Sequence, residues 1–144
     1  MNKTLILAFA GVLALSAPAM AQTAADTDKS LDSLFGDHKP YADFLAKLQK
    51  AVASDDKETV ANMVDYPFQA RIAGKAVKIK DARHFVADYD KVVTAKVKAS
   101  IAKQTYPTLF ANWQGVMIGD GEVWFSEVGK DEKHMAVKII AIND

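Results

Sequence analysis

Three histidines, His38, His84 and His134, are the natural first candidates for metal binding or proton transfer. None has a second histidine three or four residues away, the spacing that places two imidazoles on one helix face for a shared zinc ion. They read as surface or helix-cap residues. Asp26, Asp28, Ser30, Asp32 and Asp37 match the oxygen positions of a calcium loop. Leu31, however, stands where that loop needs glycine, and Asp37 where it needs a bidentate glutamate. A solvated acidic stretch is the simpler reading, and neither a metal nor a cofactor is expected. The chain has no cysteine, which excludes a thiol nucleophile, a thiolate metal site and any disulfide. Ser30, Ser33, Ser54, Ser100 and Ser126 lack the Gly-x-Ser-x-Gly context of a nucleophile elbow, and there is no glycine-rich phosphate loop. Arg71 offers a guanidinium for a carboxylate ligand, against the simpler reading of a solvated strand face. Lys91, Lys96, Lys98 and Lys103 likewise read as a solvated helix face. With 18 basic residues balanced by 18 acidic ones, the chain lacks the cationic excess of a general nucleic-acid binder.

The elements that must position these residues follow from periodicity. Met1-Asn2-Lys3, the apolar run Leu5 to Leu15 and the small-x-small triplet Ala19-Met20-Ala21 have the layout of a Sec-type export signal. The apolar run is too short to span a bilayer, which takes ~20 apolar residues. Cleavage near Ala21 would release a bacterial periplasmic or secreted protein with no membrane anchor. Residues 22–37 are expected to form a flexible leader: residues 22–30 are polar and lack periodicity, and Leu31, Leu34 and Phe35 form at most a short amphipathic turn ended by Gly36. Residues 38–144 are expected to form a single domain. Tyr41, Phe44, Leu45, Leu48 and Val52 form an apolar helix stripe, with Asp37 as cap and Pro40 in the first turn. Asp55 and Glu58 have capping-box spacing for a shorter helix carrying Val60, Ala61 and Val64, which Tyr66-Pro67 ends.

The period then drops to two. Phe68 to Ile72 and Val77 to Ile79 read as a hairpin about Ala73-Gly74-Lys75. Asp81 caps a third helix (Ala82, Phe85, Val86, Tyr89, Val93), and Thr94 caps a bent continuation to about Lys103. Three strands follow: Leu109 to Ile118, Glu122 to Val128 and Met135 to Ile142, with Asp120-Gly121 as the strongest hairpin signal. The fold class is α+β, with helices covering one face of a mostly antiparallel sheet.

This order of two helices, a hairpin, a helix and a terminal meander resembles the NTF2-like (cystatin-like α+β cone) superfamily over roughly residues 38 to 142. The segments Asp65-Tyr66-Pro67-Phe68 and Asn112 to Phe125 are also similar to small exported bacterial proteins of unassigned function. The resemblance implies a curved sheet, a cone mouth that can hold an apolar small molecule, and in many members a dimer through the sheet. Enzymes of the superfamily set a carboxylate base against a tyrosine or acid that stabilises an oxyanion. Among Asp65, Asp88 and Asp90, with Tyr41, Tyr66 and Tyr89, only Asp65 beside Tyr66 forms a plausible pair. An isomerase, dehydratase or cyclase with Asp65 as base is thus the alternative to a binding module, although no isomerase motif carries over position by position.

A two-residue Asp120-Gly121 turn pairs Gly119 with Glu122 and sets Ile118 against Val123 and Val116 against Phe125 on one face, whereas a three-residue Gly119-Asp120-Gly121 loop would shift this register. On the other face Met117 meets Trp124, Gly115 meets Ser126 and Trp113 meets Val128. Both faces are then apolar, and helices can cover only one. Trp113, Met117 and Trp124 are therefore candidates for binding a ligand or a partner, with Tyr89 and Arg71 beside them. The second face is a homodimer interface, a pocket for an apolar small molecule, or a surface folded into the core by sheet curvature.

Overall fold

The computed structural model describes residues 20–144. The export signal expected over residues 1–21 lies outside them except for its last two residues.

The first element corrects the sequence expectation. The stretch expected to be a flexible leader forms a helix, α1 (Ala24–Phe35). Thr23 and Asp26 cap it reciprocally: the Thr23 hydroxyl accepts from the Asp26 amide, and the Asp26 carboxylate accepts from the Thr23 amide. Gly36, at φ 90°, closes the other end in the left-handed conformation. The helix buries little, but Leu31 and Thr27 are fully covered, and Phe35 stacks on Tyr41 with ring centroids 4.6 Å apart. A single inward turn of apolar contact is enough to dock a helix whose other faces are polar. The supposed calcium-loop oxygens Asp26, Asp28, Ser30 and Asp32 consequently sit on a helix and not in a loop.

Helix α2 (Lys39–Ala53) buries Tyr41, Phe44, Leu45, Leu48 and Ala51 along the expected stripe, with Val52 at its margin. The cap position of α2 is His38, whose side chain makes no cap bond, and not Asp37 as expected; Asp37 stands one residue earlier and accepts from the Lys39 amide at 2.9 Å. Helix α3 (Lys57–Asn62) is capped one position later than the spacing of Asp55 and Glu58 implied. Asp56 is its cap and accepts from the Thr59 amide, while Asp55 takes φ 54° in the connection. Strands β1 (Phe68–Ile72) and β2 (Lys75–Ile79) pair around Ala73-Gly74, both at positive φ, as a two-residue primed turn requires. Helix α4 (Ala82–Val92) is capped by Asp81 and helix α5 (Ala95–Lys103) by Thr94, with a break at Val93.

After a short 3₁₀ turn (Tyr106–Thr108), the strand expected over Leu109 to Ile118 is split in two. Strand β3 (Phe110–Asn112) reverses through Trp113-Gln114 into β4 (Gly115–Ile118). The Asn112 side chain accepts from the Gln114 amide at 2.8 Å, and Gly115 takes φ 145°. Asn112 thus turns the chain, which a reading by hydrophobicity alone passes over. Strands β5 (Val123–Val128) and β6 (Ala136–Ile142) complete the antiparallel sheet β3-β4-β5-β6.

The architecture is α+β, with one two-stranded and one four-stranded antiparallel sheet and no closed barrel. The two are linked through the segment after α3. Val64 bridges Ile139 in parallel, with the Ile139 amide donating to the Met63 carbonyl at 2.7 Å. The core lies between the helices and the inner face of the larger sheet, where Val116, Ile118, Val123, Phe125 and Ile139 are all buried and Phe44 stacks on Phe125 at 4.9 Å. Without disulfides, burial of this kind, worth about 1.5–3 kcal/mol per large side chain, must hold the fold. No helix among the described residues is long and apolar enough to cross a membrane.

Candidate interaction site

The register of the β4–β5 hairpin determines which side chains reach the outer face. Ile118 pairs with Val123 and Val116 with Phe125, both pairs inward, and Met117 pairs with Trp124, outward. The splitting of the first strand adds another residue to that row. Phe110 on β3 stands opposite Met117, so Phe110, Met117, Trp124 and Ala141 run across all four strands. Phe110 is half exposed and packs edge-to-face on Trp124 at 6.4 Å, while Met117 and Trp124 are half-buried. A bulge between Trp124 and Phe125 leaves Ile140 unpaired and partly exposed on β6.

Trp113 is where the expectation fails in detail. It does not pair with Val128 on a strand; it stands at the tip of the β3–β4 turn and is 81% exposed. The apolar surface expected from two tryptophans and a methionine is present, but Trp113 projects from its corner. Phe110 is the member that sequence reasoning missed, because the turn at Asn112 was needed to bring it round. Lys138, opposite Ser126, is the one charged residue on the neighbouring row of β5–β6 pairs. Its ammonium is drawn off to the Asn62 carbonyl at 2.6 Å.

At one end of the row, Met117 and Trp124 join Lys96, Asp120, Gly121, Glu122, Asn143 and Asp144 around an open groove of about 300 Å³. Gly121 has φ +115°, and a Cβ there would lie 3.7 Å from the Trp124 indole nitrogen and 3.9 Å from the Met117 sulfur. Glu122, nearly buried, is committed to the turn itself. Burial pushes its carboxyl up, but hydrogen bonds from the backbone amides of Asp120 and Glu122 outweigh this and hold it below the usual glutamate value.

The other candidates are dispersed. Asp65 is exposed and borders a separate groove with Val128, Gly129, Lys130 and His134. Tyr66 is half-buried, and its hydroxyl donates to the Ala61 carbonyl at 2.7 Å. Burial and the nearby Asp81 raise its pKa far above the ordinary tyrosine value. Base and oxyanion donor are therefore not brought together around one void. Tyr89 is fully buried, with Lys57 and Lys98 each 5.3 Å from its ring centroid and its hydroxyl without a hydrogen-bond partner. Burial, with Asp55 and Asp90 nearby, pushes that hydroxyl up to about 12. Both lysines are clamped by Asp90, at 2.8 and 3.3 Å, so this corner is a self-satisfied charge cluster over a core aromatic ring. Arg71 is exposed, and among the described residues its guanidinium donates only to the Gly74 carbonyl within its own hairpin.

The histidines each bond a nearby aspartate: His38 to Asp32, His84 to Asp81 and His134 to Asp131. Asp32, Asp37 and His38 alone among the described residues bring three potential metal ligands close together. No protein-family model, curated protein or solved structure matches this chain.

Proposed function

We propose that this chain is an exported binding module of NTF2-like kinship that works through the outer face of its four-stranded sheet, by pairing with a second copy of itself. The observation that carries the reading is the row Phe110–Met117–Trp124, extended by Trp113 and Ile140, on a sheet whose inner face the helices already cover. An apolar surface of this kind has a cost in water, and large contiguous patches on small proteins mark contact sites. The row itself carries no charged side chain, and Lys138 on the neighbouring row turns its ammonium to the Asn62 carbonyl. A two-fold arrangement would set the same row against itself. The catalytic alternative has less support, because Asp65 and the Tyr66 hydroxyl point to different surroundings.

The test is sedimentation equilibrium of the chain freed of residues 1–21, beside a Trp113→Ala, Trp124→Ala double variant. Wild type is expected to give a dimer mass that dissociates on dilution. The variant is expected to remain monomeric, with helical and strand content unchanged by circular dichroism. A folded wild-type monomer at every concentration would overturn the reading.

A further inference from the structure

Unpaired charge of opposite sign is gathered at the two edges of the larger sheet. Beyond β6 stands the β1–β2 hairpin: β1 packs beside β6, and the segment leading into it bridges Ile139 through Val64. Residues 66–80 carry Arg71, Lys75, Lys78 and Lys80 and no acidic residue. All four cations are exposed, and none lies within ion-pair distance of a carboxylate among the described residues. Beyond β3, at the opposite edge, lies α1. Asp26, Asp28, Asp32 and Asp37, on α1 and in its connection to α2, stand against a single lysine of that segment, Lys29. None of these acids is paired with a lysine or arginine among the described residues, and His38 offsets at most one of them. A chain with no net charge is thus polarised across its strands, basic beyond β6 and acidic beyond β3.

We propose that the β1–β2 hairpin is an interaction surface whose partner is α1 of a second copy, in the dimer formed by the outer sheet faces, a reading on which this arrangement rests. Two identical sheets packed face to face are related by a two-fold axis lying in the plane between them. An axis along the strands carries the β3 edge of one protomer over the β6 edge of its partner. An axis across the strands sets each edge over its own copy. The first brings a basic hairpin to an acidic α1 at both ends of the interface. The second brings hairpin to hairpin and α1 to α1. Like charges so placed oppose association, whereas opposite charges steer it and act over about 10 Å at about 0.1 M salt. The apolar row makes the same choice on shape. It runs Phe110, Met117, Trp124, Ala141, large at β3 and small at β6. With the axis along the strands, between β4 and β5, Phe110 lies over the partner's Ala141 and Met117 over the partner's Trp124. With the axis across them, Phe110 abuts its own copy and the two alanines leave a gap between the sheets.

The two axes predict charge effects of opposite sign, which sedimentation equilibrium of the chain freed of residues 1–21 can read. Lys75→Glu with Lys78→Glu cancels the charge of the hairpin, and Ser30→Lys with Ser33→Lys lowers that of α1; all four positions are exposed. Each double variant is expected to raise the dimer Kd roughly three- to tenfold at low salt, the scale of a few exposed charge pairs counted twice by symmetry. Wild-type Kd is expected to rise as salt goes from about 20 to about 300 mM. An axis across the strands predicts the reverse, since each variant and added salt then relieve like-charge repulsion and tighten the dimer. A wild-type dimer that is tightened or unchanged by these substitutions overturns the arrangement and leaves pairing through the sheet face standing. A wild type that stays monomeric overturns both. Circular dichroism first checks that each variant is native; if neither folds, the salt dependence of wild-type Kd decides, and a Kd that falls or holds constant overturns the arrangement.

Discussion

Gly115 marks the point at which a single residue determines where the apolar row lies. It holds φ 145°, and a Cβ there would come within 2.7 Å of the Phe125 carbonyl oxygen, a backbone atom that cannot swing aside. Gly115→Ala is expected to destabilise the chain by about 1–3 kcal/mol in urea unfolding; a change below about 0.5 kcal/mol would contradict this account of the β3–β4 turn. Local chemistry of this kind was legible in the sequence where a side chain acts on its own neighbourhood. Asp81 and Thr94 cap helices as their spacing implied, and Gly74 turns its hairpin. Trp113 was misplaced because its environment depends on Asn112 folding back onto the Gln114 amide, a short polar interaction inside an apolar run. The Tyr66 hydroxyl finds its acceptor at the Ala61 carbonyl, which adjacency to Asp65 in sequence does not reveal.

Among the elements, α1 departs furthest from expectation. Its first seven residues are mostly polar and carry no apolar stripe, so periodicity indicated only the last turn, Leu31, Leu34 and Phe35 before Gly36, and not the helix that precedes it. The cues were of another kind: Thr23 and Asp26 at capping-box spacing, Gly36 at the stop, and Leu31 as the one residue that docks completely. Because Leu31 is buried while Leu34 is 40% exposed, the two leucines should behave differently. Leu31→Ala is expected to cost about 2 kcal/mol or more, read as a rise of roughly thirtyfold in α1 amide opening. Leu34→Ala is expected to stay within about 0.5 kcal/mol. Equal effects would mean that α1 is not seated as described. The β4–β5 register, in contrast, is the one expected about Asp120-Gly121, although the connection runs over the four residues 119–122 and Gly119 does not pair with Glu122 as a two-residue turn would require.

At the scale of the molecule, alternation and stripe spacing were enough to indicate an α+β architecture with an apolar outer sheet face. They could not show that Phe110 joins that face, or that Asp65 and Tyr66 diverge, because both depend on how separate elements meet. The central claim concerns what the outer face touches in solution, and Trp113 is its most exposed member at 81%. Emission of Trp113 in a Trp124→Phe chain, followed with acrylamide quenching across a dilution series, reports on that contact directly. If the face pairs with a second copy, Trp113 emission is blue-shifted and shielded from quencher at high concentration, and it becomes red-shifted and accessible on dilution. Emission that stays red-shifted and fully quenchable at every concentration would contradict the account.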